Sequence, residues 1–292
     1  MTSFFSRLMA ALNFLMPPRF RSDIPVVPVV RLTGVIGATT PLRPGMTLAG
    51  LARTLDRAFA VPRARAVALL INSPGGSPTQ SHLIFRRIRQ LAEEKKVTVL
   101  AFIEDAGASG GYMLACAGDE IICDDFSIVG SIGVVGGTFG FPELMKKLGI
   151  ERRVYTAGDR KVMLDPFQEE KPEDVQRIKA IQADMHEHFI DLVKKRRGAR
   201  LSGADTILFS GEFWTAARAI ELGLVDGRGD LRSILRERYG DKVRMPVIAG
   251  ERSFLARRLS LAGLFGGPGR AGFADEIISA LDERTLWSRY GL

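Results

Sequence analysis

Runs of apolar residues alternate along the chain with stretches whose apolar positions recur at helical spacing. Three runs, "AVALLINS", "VTVLAFIE" and "EIICDDFSIVG", are rich in β-branched residues and lead into glycine turns, which is typical of strands. An earlier run, "IPVVPVVRLTGVIG", has the same character, and helical stretches follow it over 47–59 and after "NSPGG". Apolar strands that alternate with helices predict an α/β fold of repeated strand–turn–helix units around a mostly parallel sheet.

In the second half of the chain, capping residues and glycines indicate where helices begin and end. Residues 171–197 begin with acidic and end with basic side chains, which suits the dipole of one long helix. A further helix is predicted to begin near Thr215 and to end at Gly223, while "FPELMKKLGI" predicts a short helix and "RRVYTAG" a strand. Gly-rich residues within 251–274 lead to a final helix. We therefore predict three parts: an N-terminal segment (1–23), a main domain (24–240), and a link with a C-terminal helix (241–292).

The apolar stretch over residues 4–16 is too short to span a bilayer, which takes about 20 residues, and no small-residue cleavage site follows it. Wound as a helix, it gathers Phe and Leu side chains on one face and small or polar side chains on the other, with arginines nearby. This pattern predicts a helix that lies in the membrane interface. A helix that packs on a partner subunit is the alternative.

The chain is basic, with a formal net charge of +8 and a pI near 9.8. No basic run is interleaved with aromatic residues, so nucleic acid is not a predicted partner, and an anionic membrane or an acidic protein fits better. The two cysteines, Cys116 and Cys123, are too few for a disulfide framework and lack the spacing of a zinc site. We expect both to be small buried apolar residues.

Ser109 stands in "GASGG", where small residues surround one hydroxyl between a predicted strand and a predicted helix. The stretch fits G-x-S-x-G, the pattern of a nucleophile at a strand-to-helix turn. At a helix N-terminus, free N–H groups and the helix dipole would stabilise developing negative charge. The alternative is a structural serine whose hydroxyl caps the helix.

A second glycine turn, "NSPGG", follows the preceding strand and ends at Gly76. Two glycines after a proline can expose backbone N–H groups to a bound carbonyl oxygen, although a tight structural turn would look the same. The carboxyl ends of successive parallel strands face one crevice, where ligands of open α/β sheets bind. We therefore expect this turn and Ser109 to lie together.

A serine nucleophile needs a base. The three histidines, His82, His186 and His188, fall within predicted helices and none follows a strand end, so we interpret them as structural. Lys161 follows a glycine turn and precedes three apolar residues. A lysine in an apolar pocket has a lowered pKa because its ammonium form is desolvated, and neutral Lys161 could then accept the proton of Ser109. An exposed loop lysine is the alternative.

Five motifs occur in order along the chain: "INSPGGS", "ASGGYMLACAGDEI", "GSIGV", "YTAGDRK" and "GEFWTAARAIELGLVD". On these motifs, the chain resembles the signal peptide peptidase A (SppA/SohB) family of serine peptidases over roughly residues 24–235. The fold of that family is related to those of Clp protease and crotonase. The resemblance therefore implies a Clp/crotonase-like fold.

The resemblance also implies a Ser/Lys dyad with an assigned set of residues. Ser109 matches the nucleophile, and Lys161, 52 positions later, matches the base. Ser131 of "GSIGV" matches a residue that hydrogen-bonds the lysine and orients it. The oxyanion donors implied by the family are the backbone N–H groups of Gly76 and Gly110.

The implied activity is hydrolysis of peptide bonds through an acyl-enzyme, with no metal or cofactor. Signal-peptide remnants or membrane-derived peptides are the implied substrates, and a ring-like homo-oligomer is the implied assembly. Many relatives carry a full transmembrane anchor, from which the short stretch over 4–16 departs. We expect peripheral association with a bacterial-type inner membrane, and the sequence does not assign the side of the membrane. A cytoplasmic location is the alternative.

Other enzyme classes fit the sequence less well or stay open. A Clp-type protease would need a histidine about 25 residues beyond the serine, where this chain has Val134. An α/β-hydrolase would need a late histidine, and none lies beyond residue 188. A crotonase-type acyl-CoA enzyme shares the fold without needing the dyad, and a catalytically inactive membrane-associated scaffold is a third class. Both of these remain alternatives.

Overall fold

The structure is a computed structural model that describes residues 24–37, 45–158 and 160–249, together with positions 284, 285, 287, 288 and 290. Within these ranges the strands form one sheet: β1 (Val29–Thr33), β2 (Val67–Ser73), β3 (Val99–Ala108), β4 (Glu120–Cys123), β5 (Ile128–Gly130), β6 (Phe213–Thr215) and β7 (Gly227–Arg228).

Helices connect the successive parallel strands. The first three are α1 (Leu48–Phe59) between β1 and β2, α2 (Pro78–Lys95) between β2 and β3, and α3 (Gly110–Ala115) between β3 and β4. The later helices are α4 (Pro142–Lys147), α5 (Pro172–Arg197), α6 (Asp205–Leu208), α7 (Ala216–Glu221) and α8 (Leu231–Tyr239), with a 3-10 turn at Gly198–Arg200.

Strand β3 is the central strand of the sheet. Strands β1, β2, β3, β4 and β7 lie side by side in that order and run parallel. The first half of β3, over 100–103, pairs with β4, whereas its end, over 106–108, pairs with β5. Strand β6 then adds antiparallel to β5. The end of β3 is therefore flanked by β2 on one side and by β5 on the other.

The core lies on both faces of the sheet, as β3 illustrates. Val99, Ala101 and Ile103 point into one apolar cluster, which α1 and α2 cover, while Leu100 and Phe102 point into a second cluster on the other face with α8. Side chains alternate between the faces of a strand, so a strand buried on both sides must be apolar at every position. The predicted α/β class with a mostly parallel sheet is confirmed.

Most predicted helices are confirmed. The long helix predicted over 171–197 is α5. Helix α7 begins after Thr215 and is followed by Gly223, whose φ of +71° lies in the left-handed region and ends the helix.

The strand predicted in "RRVYTAG" is wrong. Residues 152–158 are exposed and pair with no strand in the described part of the chain, because the chain has left the sheet after β5.

Two further results concern the ends of the predicted domains. The amphipathic stretch over 4–16 and the Gly-rich residues over 251–274 lie outside the described residues. Beyond residue 240 the chain returns to the sheet, since the N–H of Val27 donates to the carbonyl of Arg244 and the N–H of Ile248 to that of Val29. No helix in the described ranges combines the length and apolar character needed to cross a membrane.

A buried ion pair ties α5 to the edge of the sheet. Arg197 is only 3% exposed, and its guanidinium donates to both carboxylate oxygens of Asp226 at 2.7 and 2.9 Å. Asp226 also accepts the N–H of Ile121 at the start of β4. Burial tends to raise the pKa of Asp226, but the bonds from Arg197 and Ile121 outweigh it and hold this pKa below its usual value.

We expect Asp226→Asn to lower the free energy of unfolding by about 3 kcal/mol at pH 7, because Arg197 then stays buried without a counter-charge. Urea unfolding followed by circular dichroism measures this difference. Since the pKa of Asp226 is lower in the folded than in the unfolded chain, its contribution is complete above about pH 4 and is lost as the pH falls through the folded pKa. The difference between wild type and variant should shrink accordingly.

Asp125→Asn is the matched control, because both side chains of the Asp125–Arg228 ion pair are exposed to solvent. Such a pair contributes less than about 1 kcal/mol. Equal losses of stability in the two variants would contradict a structural role for the buried pair.

Candidate active site

Ser109 lies at the turn between β3 and α3. Its φ of +52° is a left-handed conformation that is uncommon outside glycine and is found at functional sites. The backbone is fixed on both sides, since the N–H donates to Gly130 at 2.8 Å and the carbonyl accepts from Met113 at 3.1 Å. The side chain makes no capping hydrogen bond to α3. The hydroxyl is therefore not a helix cap, which removes the structural alternative.

The glycine turn after β2 packs directly against this serine. A Cβ atom on Gly75, whose φ is +105°, would lie 2.8 Å from Cβ of Ser109 and 2.9 Å from the amide nitrogen of Gly110. Only glycine allows this approach. Ser73 fixes the turn, because its hydroxyl donates to the carbonyl of Gly34 at 2.7 Å and accepts the N–H of Gly75 at 3.2 Å.

Two backbone N–H groups beside the serine, those of Gly76 and Gly110, have no acceptor among the described residues. Ile36 pairs with Gly76 in a parallel bridge, in which its N–H and carbonyl bond to the residues on either side of Gly76. Since successive N–H groups of an extended backbone point to opposite sides, the N–H of Gly76 faces away from Ile36. A pair of unengaged donors next to a hydroxyl can bind one carbonyl oxygen.

Ser131 lies on the other side of the candidate nucleophile. It directly follows β5, in which Gly130 pairs with Ala108, so Ser131 and Ser109 come at the ends of neighbouring strands. Ser131 is buried, has a φ of +52°, and donates its N–H to the carbonyl of Glu212 at 2.6 Å. The structure therefore brings together four of the five predicted site residues: Gly76, Ser109, Gly110 and Ser131.

Lys161 is placed differently. It belongs to a segment over residues 133–171, called the arm below, in which no described residue is buried. Lys161 is itself exposed, and its backbone N–H donates to the carbonyl of Gly158 at 3.3 Å. Among the described residues it makes no bond to Ser109 or Ser131, and the apolar pocket expected around it is not formed within one chain.

The arm exposes many large apolar side chains, among them Phe139 (80% exposed) and Tyr155 (90% exposed). Its residues contact mainly one another: the rings of Phe141 and Phe167 lie 5.7 Å apart, and Arg152 lies over the Phe167 ring. Large exposed apolar patches are typical of surfaces that bind another molecule.

The other candidate nucleophiles and bases make no hydrogen bond to Ser109 among the described residues. Both cysteines are buried, and burial raises the pKa of the Cys116 and Cys123 thiols to about 12, so neither forms a thiolate near neutral pH. His186 bonds the carbonyl of Ile132 at 3.0 Å, next to Ser131, which is a positioning contact. Burial lowers the pKa of His82. Across the described ranges no cluster of three or more His, Cys, Asp or Glu side chains could hold a metal ion.

Sequence reasoning missed two residues of the crevice. Ser73 stands inside the "NSPGG" motif, but its role in fixing the turn depends on Gly34, 39 positions away. Tyr290 places its hydroxyl 3.2 Å from Oγ of Ser131 and 3.3 Å from the carbonyl oxygen of Pro74. No local pattern around Tyr290 links it to either group.

The fold and this crevice define an α/β protein with a strained serine at the end of a central parallel strand, next to two unengaged backbone donors. Comparison with known proteins agrees with that class. The family described as "Peptidase family S49" matches residues 89–242, more than half of the chain. The chain belongs to this family, and the predicted resemblance is confirmed.

Two relatives and one solved structure give the extent of the similarity. The "Na(+)/H(+) antiporter NhaA" of Brucella abortus is 54% identical over 287 residues, which are 96% of this chain but 39% of that protein. The chloroplastic "Serine protease SPPA" of Arabidopsis thaliana is 31% identical over 168 residues, 57% of this chain and 24% of that protein. The chain thus spans well under half the length of both relatives.

The solved structure is that of a mutant of the membrane-bound stomatin-specific protease 1510-N with a substrate peptide. It is 15% identical to this chain, has a TM-score of 0.50, and covers 82% of this chain and 98% of its own. At this identity the similarity concerns the fold, and it confirms the predicted Clp/crotonase-like architecture.

Proposed function

We propose that the chain is a serine peptidase in which Ser109 is the nucleophile and Lys161 the general base. The observation that carries the proposal is the geometry at the end of β3, where Ser109 has a strained backbone and a hydroxyl that makes no capping hydrogen bond to α3. Gly110 is buried, yet its N–H lacks an acceptor among the described residues. An unpaired buried donor destabilises a fold, so its retention beside a free hydroxyl supports a catalytic role.

The proposed reaction is acyl transfer to water. Oγ of Ser109 attacks the carbonyl carbon of a peptide bond while Lys161 accepts the hydroxyl proton. The N–H groups of Gly76 and Gly110 bind the resulting oxyanion, and Lys161 delivers its proton to the leaving amine. Water then hydrolyses the acyl-enzyme, with Lys161 again as the base. Ser131 orients the lysine, and no step requires a metal or cofactor.

Lys161 is exposed in one chain, so the proposal needs the arm to move or to be covered. We infer that a second copy of the chain covers it in a ring-like homo-oligomer. The arm exposes large apolar side chains, and a cavity of about 520 Å³ elsewhere on the surface offers apolar groups for them to pack against. The cavity is lined by the carboxylates of Glu104, Asp105, Asp124 and Asp230 and by apolar side chains. A head-to-tail contact between arm and cavity would close a ring.

The substrates and location follow from the family rather than from the crevice. We propose peptide substrates such as signal-peptide remnants or membrane-derived peptides, and peripheral attachment to a bacterial-type inner membrane through residues 4–16. The division into parts over 1–23, 24–240 and 241–292 is also proposed, on the pattern of elements along the sequence. The transporter name of the Brucella protein is not carried over, because most of that protein lies outside the match.

A fluorophosphonate probe should modify Ser109 of the full chain. Peptide mass spectrometry would identify the modified residue. Ser109→Ala should abolish the modification, and Lys161→Ala should slow it by about 10²-fold or more, because a general base contributes about 10²- to 10⁴-fold. Lys95→Ala, which removes a lysine at the exposed end of α2, is the matched control and should label at the wild-type rate.

Equal labelling rates in Lys161→Ala and Lys95→Ala would contradict a lysine base. Absence of labelling in the folded wild type would favour the crotonase-type enzyme or the inactive scaffold.

Association of chains should be lost in Phe139→Asp, because this places a charge on the apolar face of the arm. Sedimentation velocity should show smaller particles, and labelling of Ser109 should slow together with the change in size. Ile207→Asp, at an exposed apolar position on α6 outside the arm, is the control and should change neither. A Phe139→Asp chain that sediments as a monomer and labels at the wild-type rate would show that assembly is not needed to complete the site.

A further inference from the structure

Tyr290 reaches the candidate active site from a distant part of the sequence. Its hydroxyl lies 3.3 Å from the carbonyl oxygen of Pro74, which follows β2, and 3.2 Å from Oγ of Ser131, which follows β5. Because β3 lies between β2 and β5, the phenol bridges the two sides of the crevice across the end of β3, where Ser109 stands.

The contact has a defined hydrogen-bond pattern. A carbonyl oxygen can only accept, so the single phenol proton goes to Pro74, and the phenol oxygen accepts the hydroxyl proton of Ser131. The ring of Tyr290 also packs edge-to-face on Phe213 of β6, with 5.0 Å between ring centroids. Tyr290 is half-buried as a result, and its N–H is held by the carbonyl of Trp287 at 2.9 Å.

This arrangement and the position of Lys161 are linked. Ser131 is the hydroxyl assigned to orient the lysine, and here it is engaged by Tyr290 while Lys161 stands exposed on the arm. A peptide that places its carbonyl beside Ser109 would also have to pass the ring that spans Pro74 and Ser131. Tyr290 therefore occupies hydrogen-bonding groups on both sides of the crevice from within the same chain.

We propose that Tyr290 is an intramolecular inhibitor, whose phenol must leave the crevice before Lys161 and a peptide can reach Ser109. The inference rests on the proposed peptidase function. In the inhibited state the phenol is bonded to Pro74 and Ser131. In the active state these two groups are free, and Ser131 bonds the lysine instead.

The test uses the full chain with Tyr290→Phe, which removes the hydroxyl and keeps the ring. Fluorophosphonate labelling of Ser109 should become about three to ten times faster, because a hydrogen bond of ordinary strength shifts an equilibrium by about that factor. Tyr239→Phe, on α8 away from the crevice, is the matched control and should label at the wild-type rate. An unchanged or slower rate in Tyr290→Phe would overturn the inhibitory role.

A second readout does not depend on activity. In Ser109→Ala chains, exchange of the residue 290 amide hydrogen, which bonds the carbonyl of Trp287, should quicken when Tyr290→Phe is added, since residue 290 then leaves the crevice more often. Unchanged exchange would overturn docking itself. Failure of the peptidase proposal is distinguishable, because it would appear as no labelling of Ser109 in any variant, whereas labelled wild type with an unchanged Tyr290→Phe rate overturns only the inhibition.

Discussion

The candidate site depends on the parallel pairing at the end of β3. Ser109 is held there by one backbone bond to Gly130 of β5 and by close packing against Gly75 beyond β2. Both contacts come from backbone rather than from flexible side chains, so the serine, the glycine turn and Ser131 are fixed relative to one another by the sheet itself. Sites built on strand ends are held more rigidly than sites on free loops.

The small residues of the crevice are explained by this pairing. Gly76 cannot carry a side chain because a Cβ atom would lie 2.2 Å from the carbonyl oxygen of Ile36, and a Cβ on Gly110 would lie 2.3 Å from Oγ of Ser81. The same close approach keeps the turn against the serine. The close packing of Gly76 and Gly110, and the lack of an acceptor for their N–H groups among the described residues, thus both result from the same backbone geometry.

Much of this was predictable from sequence because its signals are local. Uninterrupted apolar runs predicted β2 and β3, and glycine motifs at their ends predicted that Gly76 and Ser109 lie in one crevice. The strand expected in "RRVYTAG" was wrong because its β-branched and aromatic residues, Val154, Tyr155 and Thr156, are exposed and pair with no described strand. The exposure of Lys161 and the contact of Tyr290 could not be predicted, since no local pattern reveals burial, and the groups that Tyr290 contacts are far away in sequence.

The two halves of the proposed dyad are stabilised in different ways. The nucleophile is built into the core, whereas the base stands on an arm that the single chain leaves uncovered. In the proposed inhibition, this separation gives the chain a means of control, because Ser131 is engaged by Tyr290 in one state and by the lysine in the other. The strained serine keeps its geometry without any contact with the arm.

A crystal structure of the full chain after reaction with a fluorophosphonate tests the central claim most directly. The account predicts phosphorus bonded to Oγ of Ser109, with its free oxygen within about 3 Å of the amide nitrogens of both Gly76 and Gly110. An adduct at Ser109 whose oxygen points to solvent, away from these two donors, would contradict it.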